Sequence, residues 1–167
     1  LNAEGQDIIS LAIRSPDQPH SPQTIDKLCE VDPDPSAHGY QPTMGTMELR
    51  KAMADFYHRW YGVEVDAASE VQPLIGSKEG ILHITLAFVN PGDEVLVPNP
   101  GYPTYTSLSK ILGAKVVNYN LDEDNGWQPD FEELEHRDLS RVKLMWTNYP
   151  NMPTGGDARM ETYRKPV

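Results

Sequence analysis

The chain has 167 residues, with 25 acidic against 14 basic side chains and a net charge of −11. That balance excludes a basic nucleic-acid or anionic-membrane surface, so an anionic ligand has to be held locally, by N–H groups and a few cations. A single cysteine, Cys29, excludes an internal disulfide and a cysteine-based zinc site.

Residues 7–13 read as a short strand that runs into a Pro-rich connector. Ser21 as N-cap with Pro22 in the first helical position predicts a helix over 22–30. Pro33 and Pro35 then stop regular structure, and 38–45 is a loop by composition. Residues 46–61 form the clearest amphipathic helix: Leu49, Met53, Phe56, Tyr57 and Trp60 recur at helical spacing, Thr46 can cap it and Gly62 can end it. Residues 70–75 read as a strand, and the helix that follows to Val89 is apolar nearly all round, which predicts burial on several sides. Its apolar run is too short to cross a bilayer. No basic-then-apolar leader opens the sequence, and a cytoplasmic protein is expected.

Further strands are expected over 94–97, 115–119 and 142–147. Between them, Pro103 opens a helix that Gly113 closes, and Asp130 with Glu133 caps another. Asp157 begins a last helical pattern. This alternation of strands and helices is the signature of an α/β fold, a mostly parallel sheet with helices on both faces. Three polar turns then fall at the C-terminal ends of strands: Gly76-Ser-Lys78, 98–102 and 148–155. Ligands of open α/β sheets bind at that edge.

The first turn carries the most chemistry. A strand that turns through Gly76 and Ser77 into a helix presents free N–H groups and the positive end of a helix dipole, an anion site. It is neither a Walker A loop nor a nucleophile elbow. Taken alone it reads equally well as an ordinary strand-to-helix turn with a Ser cap. Tyr102, between Gly101 and Pro103, reads either as a ring that stacks on a flat ligand or as a half-buried loop tyrosine. The five histidines have no metal-ligand spacing, and the acidic run 130–135 reads as a solvated helix face.

Six motifs stand in order along the chain: His38-Gly-Tyr40, Met44-Gly-Thr-Met-Glu-Leu-Arg50, Gly76-Ser-Lys-Glu-Gly80, Asn90-Pro-Gly-Asp-Glu-Val95, Pro98-Asn-Pro-Gly-Tyr-Pro-Thr-Tyr105 and Asn148-Tyr-Pro-Asn-Met-Pro-Thr-Gly155. In that order the chain resembles the class I/II aminotransferases, fold type I enzymes that use pyridoxal 5′-phosphate, and the branch that includes the aspartate and LL-diaminopimelate enzymes. The resemblance implies transamination between an amino acid and a 2-oxo acid. It implies that Ser77 and Lys78 hold the cofactor phosphate, that Tyr102 stacks on the pyridine ring, and that Tyr40 reaches the partner's cofactor across a homodimer interface. It also implies that residues 1–17 associate with the small domain and that 18–167 begin the large one. Met152 stands where the family usually has an Asn that contacts the ring's 3′-oxygen. Asn151 is the neighbour that can take over, since methionine has no such donor. Arg14 stands where the family commonly has Gly, near the expected substrate carboxylate, and reads either as an extra anion contact or as a side chain that points to solvent. The family's cofactor-linking lysine, its pyridine-nitrogen aspartate and its carboxylate-binding arginine all follow the Pro-Thr-Gly motif. No catalytic residue is therefore assigned in this segment, and the 167 residues alone are expected to be inactive. A C–S β-lyase on the same fold, or an aminotransferase-like effector domain of a transcription regulator, are the alternatives.

Overall fold

The computed structural model describes Gly5 and residues 18–164. The strand expected over 7–13 and Arg14 lie outside them. The chain divides into two compact units, Leu1–Gln72 and Pro73–Val167.

In the first unit, α1 spans Pro22–Val31. Ser21 accepts the N–H of Thr24 and Pro22 opens the helix, as its sequence predicts. The Pro-rich stretch is less irregular than expected. Asp34 accepts the Ser36 N–H, and Pro35–His38 closes as one 3-10 turn, which proline tolerates at its start. α2 spans Met47–Tyr61, capped by Thr46 through the Leu49 N–H and ended by Gly62 at φ +64°. Arg50 of α2 donates to the Ala68 carbonyl at 3.0 Å, and Glu70 accepts the Asp66 N–H at 2.7 Å. No described residue of α1 or α2 is buried. The α2 stripe of Leu49, Phe56, Tyr57 and Trp60 is exposed instead, its rings clustered on one another.

The second unit runs α3 (Ser77–Phe88), β1 (Glu94–Asn99), α4 (Pro103–Ile111), β2 (Lys115–Asn120), α5 (Phe131–Glu135), β3 (Val142–Met145) and α6 (Met160–Arg164). The strands form one sheet in the order β2-β1-β3, with both pairings parallel. The central strand decides the layering. Val95 and Val97 point to one face, where Ile81, Val89, Tyr105 and Ala114 cover them. Leu96 points to the other, against Tyr119, Leu121, Phe131 and Leu134. All three β1 side chains are at most 1% exposed. Burying each is worth about 1.5–3 kcal/mol, so β1 is the best-anchored strand. Helices therefore lie on both faces of a parallel sheet, the α/β architecture that the alternation predicts.

Three local expectations are corrected. Residues 70–75 are not a strand. Strand pairing among the described residues involves only β1–β3 and a single bridge, Leu121 to Pro129, and extended chain without a paired ladder is not a stable strand. α3 buries one face only, through Gly80, Ile81 and Thr85, while Ile84, Leu86 and Phe88 are exposed. An all-round apolar pattern says that a helix has partners, not that they are among these residues. The last helix starts at Met160, not Asp157, because the Asp157 carbonyl accepts from Gln128 and holds that stretch outside the helix.

Candidate functional site

The loops between elements fix which sheet edge carries the site. Gly92 donates to the Gly113 carbonyl at 2.9 Å, and Lys115 to the Asp93 carbonyl at 2.8 Å. These bonds tie the C-terminal ends of α3 and α4 to the N-terminal edge of the sheet. The 12 residues of α3 span about 18 Å and the six of β1 about 20 Å. Both helices thus begin at the opposite edge, where β1 and β3 end. The starts of α3 and α4 and the loop after β3 share that edge.

α3 begins at Ser77, one residue after Gly76 at φ +87° and ψ 157°, and no side chain caps it. Ser77 is thus the first helical residue, not the cap. Ser77 and Lys78 are both exposed. A helix start with uncapped N–H groups, an exposed hydroxyl and an exposed ammonium suits an anion. Sequence reasoning missed Glu79, whose carboxylate turns back to accept the Ile75 N–H at 2.6 Å. The acid is thereby engaged on the turn itself.

Tyr102 is the N-cap residue of α4 and is half-buried. Its ring meets Tyr105 edge-on at 5.6 Å and 85°. Tyr105 in turn lies flat on Trp146, at 4.8 Å and 12°. Burial pushes the Tyr105 hydroxyl above its ordinary value, and Tyr102 adds to the effect. This three-ring series was not foreseen. Its only sequence signals are the i, i+3 spacing of the two tyrosines and the period-two register of Val142, Leu144 and Trp146.

Asn151 is 3% exposed. Its Oδ1 accepts the Thr154 hydroxyl at 2.8 Å, its carbonyl accepts the Gly155 N–H and its own N–H donates to the Gly156 carbonyl, both at 2.7 Å. The loop after β3 is thus closed on itself, with the Asn151 Nδ2 left as the donor it can offer. The adjacent Met152 is half-buried. Tyr149 anchors this loop through a 2.8 Å bond from its hydroxyl to the Trp127 carbonyl. Burial, with Tyr163 adding, raises the Tyr149 hydroxyl, and Arg159 opposes the rise. Tyr40 belongs to the first unit and is 94% exposed.

Among the described residues no cluster of acidic, His and Cys side chains could hold a metal. His38 and His136 are engaged with the carbonyls of Asp32 and Glu132. In the acidic run, Asp130 caps α5 and Glu133 pairs with Arg137 at 2.6 Å.

An open helix start and a supported aromatic ring thus share the C-terminal edge of a parallel α/β sheet. The chain belongs to the class I and II aminotransferase family, whose family model matches residues 6–166. It is 45% identical over 163 residues to an LL-diaminopimelate aminotransferase of Dehalococcoides mccartyi, covering 98% of this chain and 42% of that protein. It is 43% identical to transaminase BacF of Bacillus subtilis, covering 99% of this chain and 41% of that one. Among solved structures, substrate-bound BacF superposes with a TM-score of 0.89 over 95% of this chain and 40% of its own. An aminotransferase from Staphylococcus aureus, 32% identical, superposes with a TM-score of 0.88 over 95% of this chain and 42% of its own. The chain thus spans about two fifths of the curated relatives it matches.

Proposed function

We propose that the whole protein moves an amino group from an amino acid to a 2-oxo acid with pyridoxal 5′-phosphate, and that this chain holds the cofactor's phosphate and one ring face. The observation that carries this reading is the start of α3, which no side chain caps and where Ser77 and Lys78 are exposed. A phosphate there meets main-chain N–H groups, the positive end of the helix dipole and the Lys78 ammonium. Tyr102 lays its ring against the pyridine, and the Asn151 Nδ2 donates toward the 3′-oxygen in place of the family's usual Asn, whose position Met152 takes. Arg14 takes part in holding the substrate carboxylate. The cofactor, when bound, supplies an electron sink for charge developing at the substrate α-carbon.

The chain's own residues bind and orient. No described lysine is assigned the proton transfer. Lys115 pairs with Glu94 at 2.7 Å on the opposite edge of the sheet, and Lys27 pairs with Glu30 on α1. Lys78 serves the phosphate.

The proposal includes a cytoplasmic homodimer in which Tyr40 reaches the partner's cofactor. The 94% exposure of that ring supports it, and no described helix is long and apolar enough to cross a membrane. LL-diaminopimelate, named in several relatives, is the first amino donor to try.

The test titrates the whole protein with pyridoxal phosphate and with pyridoxal, followed by absorbance, alongside turnover of amino-acid and 2-oxo-acid pairs. Lys78→Ala is expected to weaken pyridoxal phosphate about tenfold, the effect of one charge-assisted hydrogen bond, and to leave pyridoxal unchanged. Equal losses for both ligands would remove the phosphate role. No bound chromophore and no turnover would overturn the whole reading.

A further inference from the structure

The three-ring series behind the proposed cofactor face has no assigned role. Tyr105 is 6% exposed and lies between the other two rings. Trp146 anchors the far end to the sheet. Its N–H donates to the Leu96 carbonyl at 3.0 Å, and its carbonyl accepts the Tyr119 hydroxyl at 2.5 Å. Trp146 is thereby bonded to β1 and β2 at once. At the near end, the Tyr105 N–H donates to the Tyr102 carbonyl at 3.2 Å, closing the first turn of α4. Tyr102 itself has no side-chain cap bond to fix it. Its ring packs against the core cluster that contains Tyr105 and meets Tyr105 edge-on.

We propose that Tyr105 and Trp146 are positioning residues: their flat stack sets the plane of the Tyr102 ring, and through it the orientation of the bound pyridine. The inference rests on the reading of Tyr102 as the cofactor-facing ring. An edge-on aromatic contact has a preferred angle as well as an area, so a ring held this way is oriented, not merely buried. The Trp146 indole N–H is buried and without a partner among the described residues. Its contribution to the stack is therefore its ring face, not its donor.

The test uses the whole protein and begins with wild-type binding of pyridoxal phosphate. If wild type takes up no cofactor, the function reading fails and this inference falls with it. If it does, Tyr105→Leu and Trp146→Leu are expected to reduce the visible circular dichroism of the bound cofactor, which reports ring orientation. Cofactor affinity is expected to fall about two- to tenfold, the scale of one aromatic pair contact. Tyr105→Phe and Trp146→Phe, which keep a ring at each place, are expected to restore both. A purely structural role would lower the melting temperature without changing the dichroism of the bound chromophore. Labelling with 5-fluorotryptophan gives a reading that needs no loss of core volume. The fluorine resonance of Trp146, assigned with Trp146→Phe, is expected to shift on cofactor binding. Unchanged dichroism and affinity in the leucine variants would overturn the proposal. So would a Trp146 resonance that ignores the cofactor.

Discussion

Glu79 Oε2 accepts the main-chain N–H of Ile75 at 2.6 Å, so the third residue of α3 reaches back across the glycine that precedes the helix. The bond closes the turn without using the N–H groups of Ser77 and Lys78. Glu79→Ala is expected to cost about 1 kcal/mol of stability, the usual net worth of such a bond, and to weaken pyridoxal phosphate by loosening the turn. Glu79→Gln should recover part of both. Urea unfolding midpoints check the first expectation; identical midpoints for wild type and Glu79→Ala would show that the bond contributes nothing.

Gly76 sits at φ +87° and ψ 157°, a region that essentially only glycine occupies. A Cβ there would meet no atom within 4 Å. The cost of Gly76→Ala is therefore backbone strain alone, about 1–3 kcal/mol. Gly80→Ala is the contrasting substitution. Its Cβ would come within 2.5 Å of the Leu74 Cδ1, so the end of that side chain, on a residue 40% exposed, has to shift, while alanine gains about 1 kcal/mol of helix propensity over glycine. Thermal melts of the two variants should move in different directions or by clearly different amounts; equal losses would refute the strain argument.

These two positions show what the sequence can carry. Caps and turns are local, so Ser21 with Pro22, Thr46 with Gly62, and Asp130 with Glu133 were legible from neighbours alone. A parallel sheet with helices on both faces followed from alternation. Pairing depends on residues distant in the chain, and there the reading failed. Residues 70–75 have strand composition but form no ladder. The Tyr105–Trp146 stack joins residues 41 positions apart (105 to 146) and has no local signature. The placement of Ser77 and Lys78 at one helix start and of Tyr102 at the next was legible because both turns carry local signals. Glu79 was not, because the same residue type in a first turn serves equally as a solvated charge.

Burial raises the hydroxyls of Tyr105 and Tyr119 above the ordinary value of 10.0. The fold disfavours the phenolate, so the folded value exceeds the unfolded one. The stabilisation is complete below pH 10.0 and is lost as pH rises past it toward the folded value. Stability should be flat, as far as these groups are concerned, from neutrality to about pH 9.5 and should decline above that. Tyr119→Phe gives up the bond to the Trp146 carbonyl, a loss of about 1 kcal/mol at neutral pH, and should flatten the alkaline decline. Urea midpoints measured from about pH 8 to about pH 11 distinguish the cases. Parallel alkaline losses in the two proteins would remove Tyr119 from the explanation.

Thr154 joins the two ends of the loop that follows β3. Its hydroxyl donates to the Asn151 Oδ1 at 2.8 Å and accepts the Gly156 N–H at 3.2 Å. Asn151 is 3% exposed, so water has little access to replace the lost donor. Thr154→Val keeps the shape and leaves an acceptor and a donor unmatched, at about 1–3 kcal/mol. Thr154→Ser keeps the hydroxyl and should stay near wild type. The loop also sets the direction of the Asn151 Nδ2, so Thr154→Val should shift the absorbance of bound pyridoxal phosphate where Thr154→Ser does not. A valine variant that melts with wild type and leaves that absorbance in place would mean the Asn151–Thr154 bond neither holds the loop nor aims the amide.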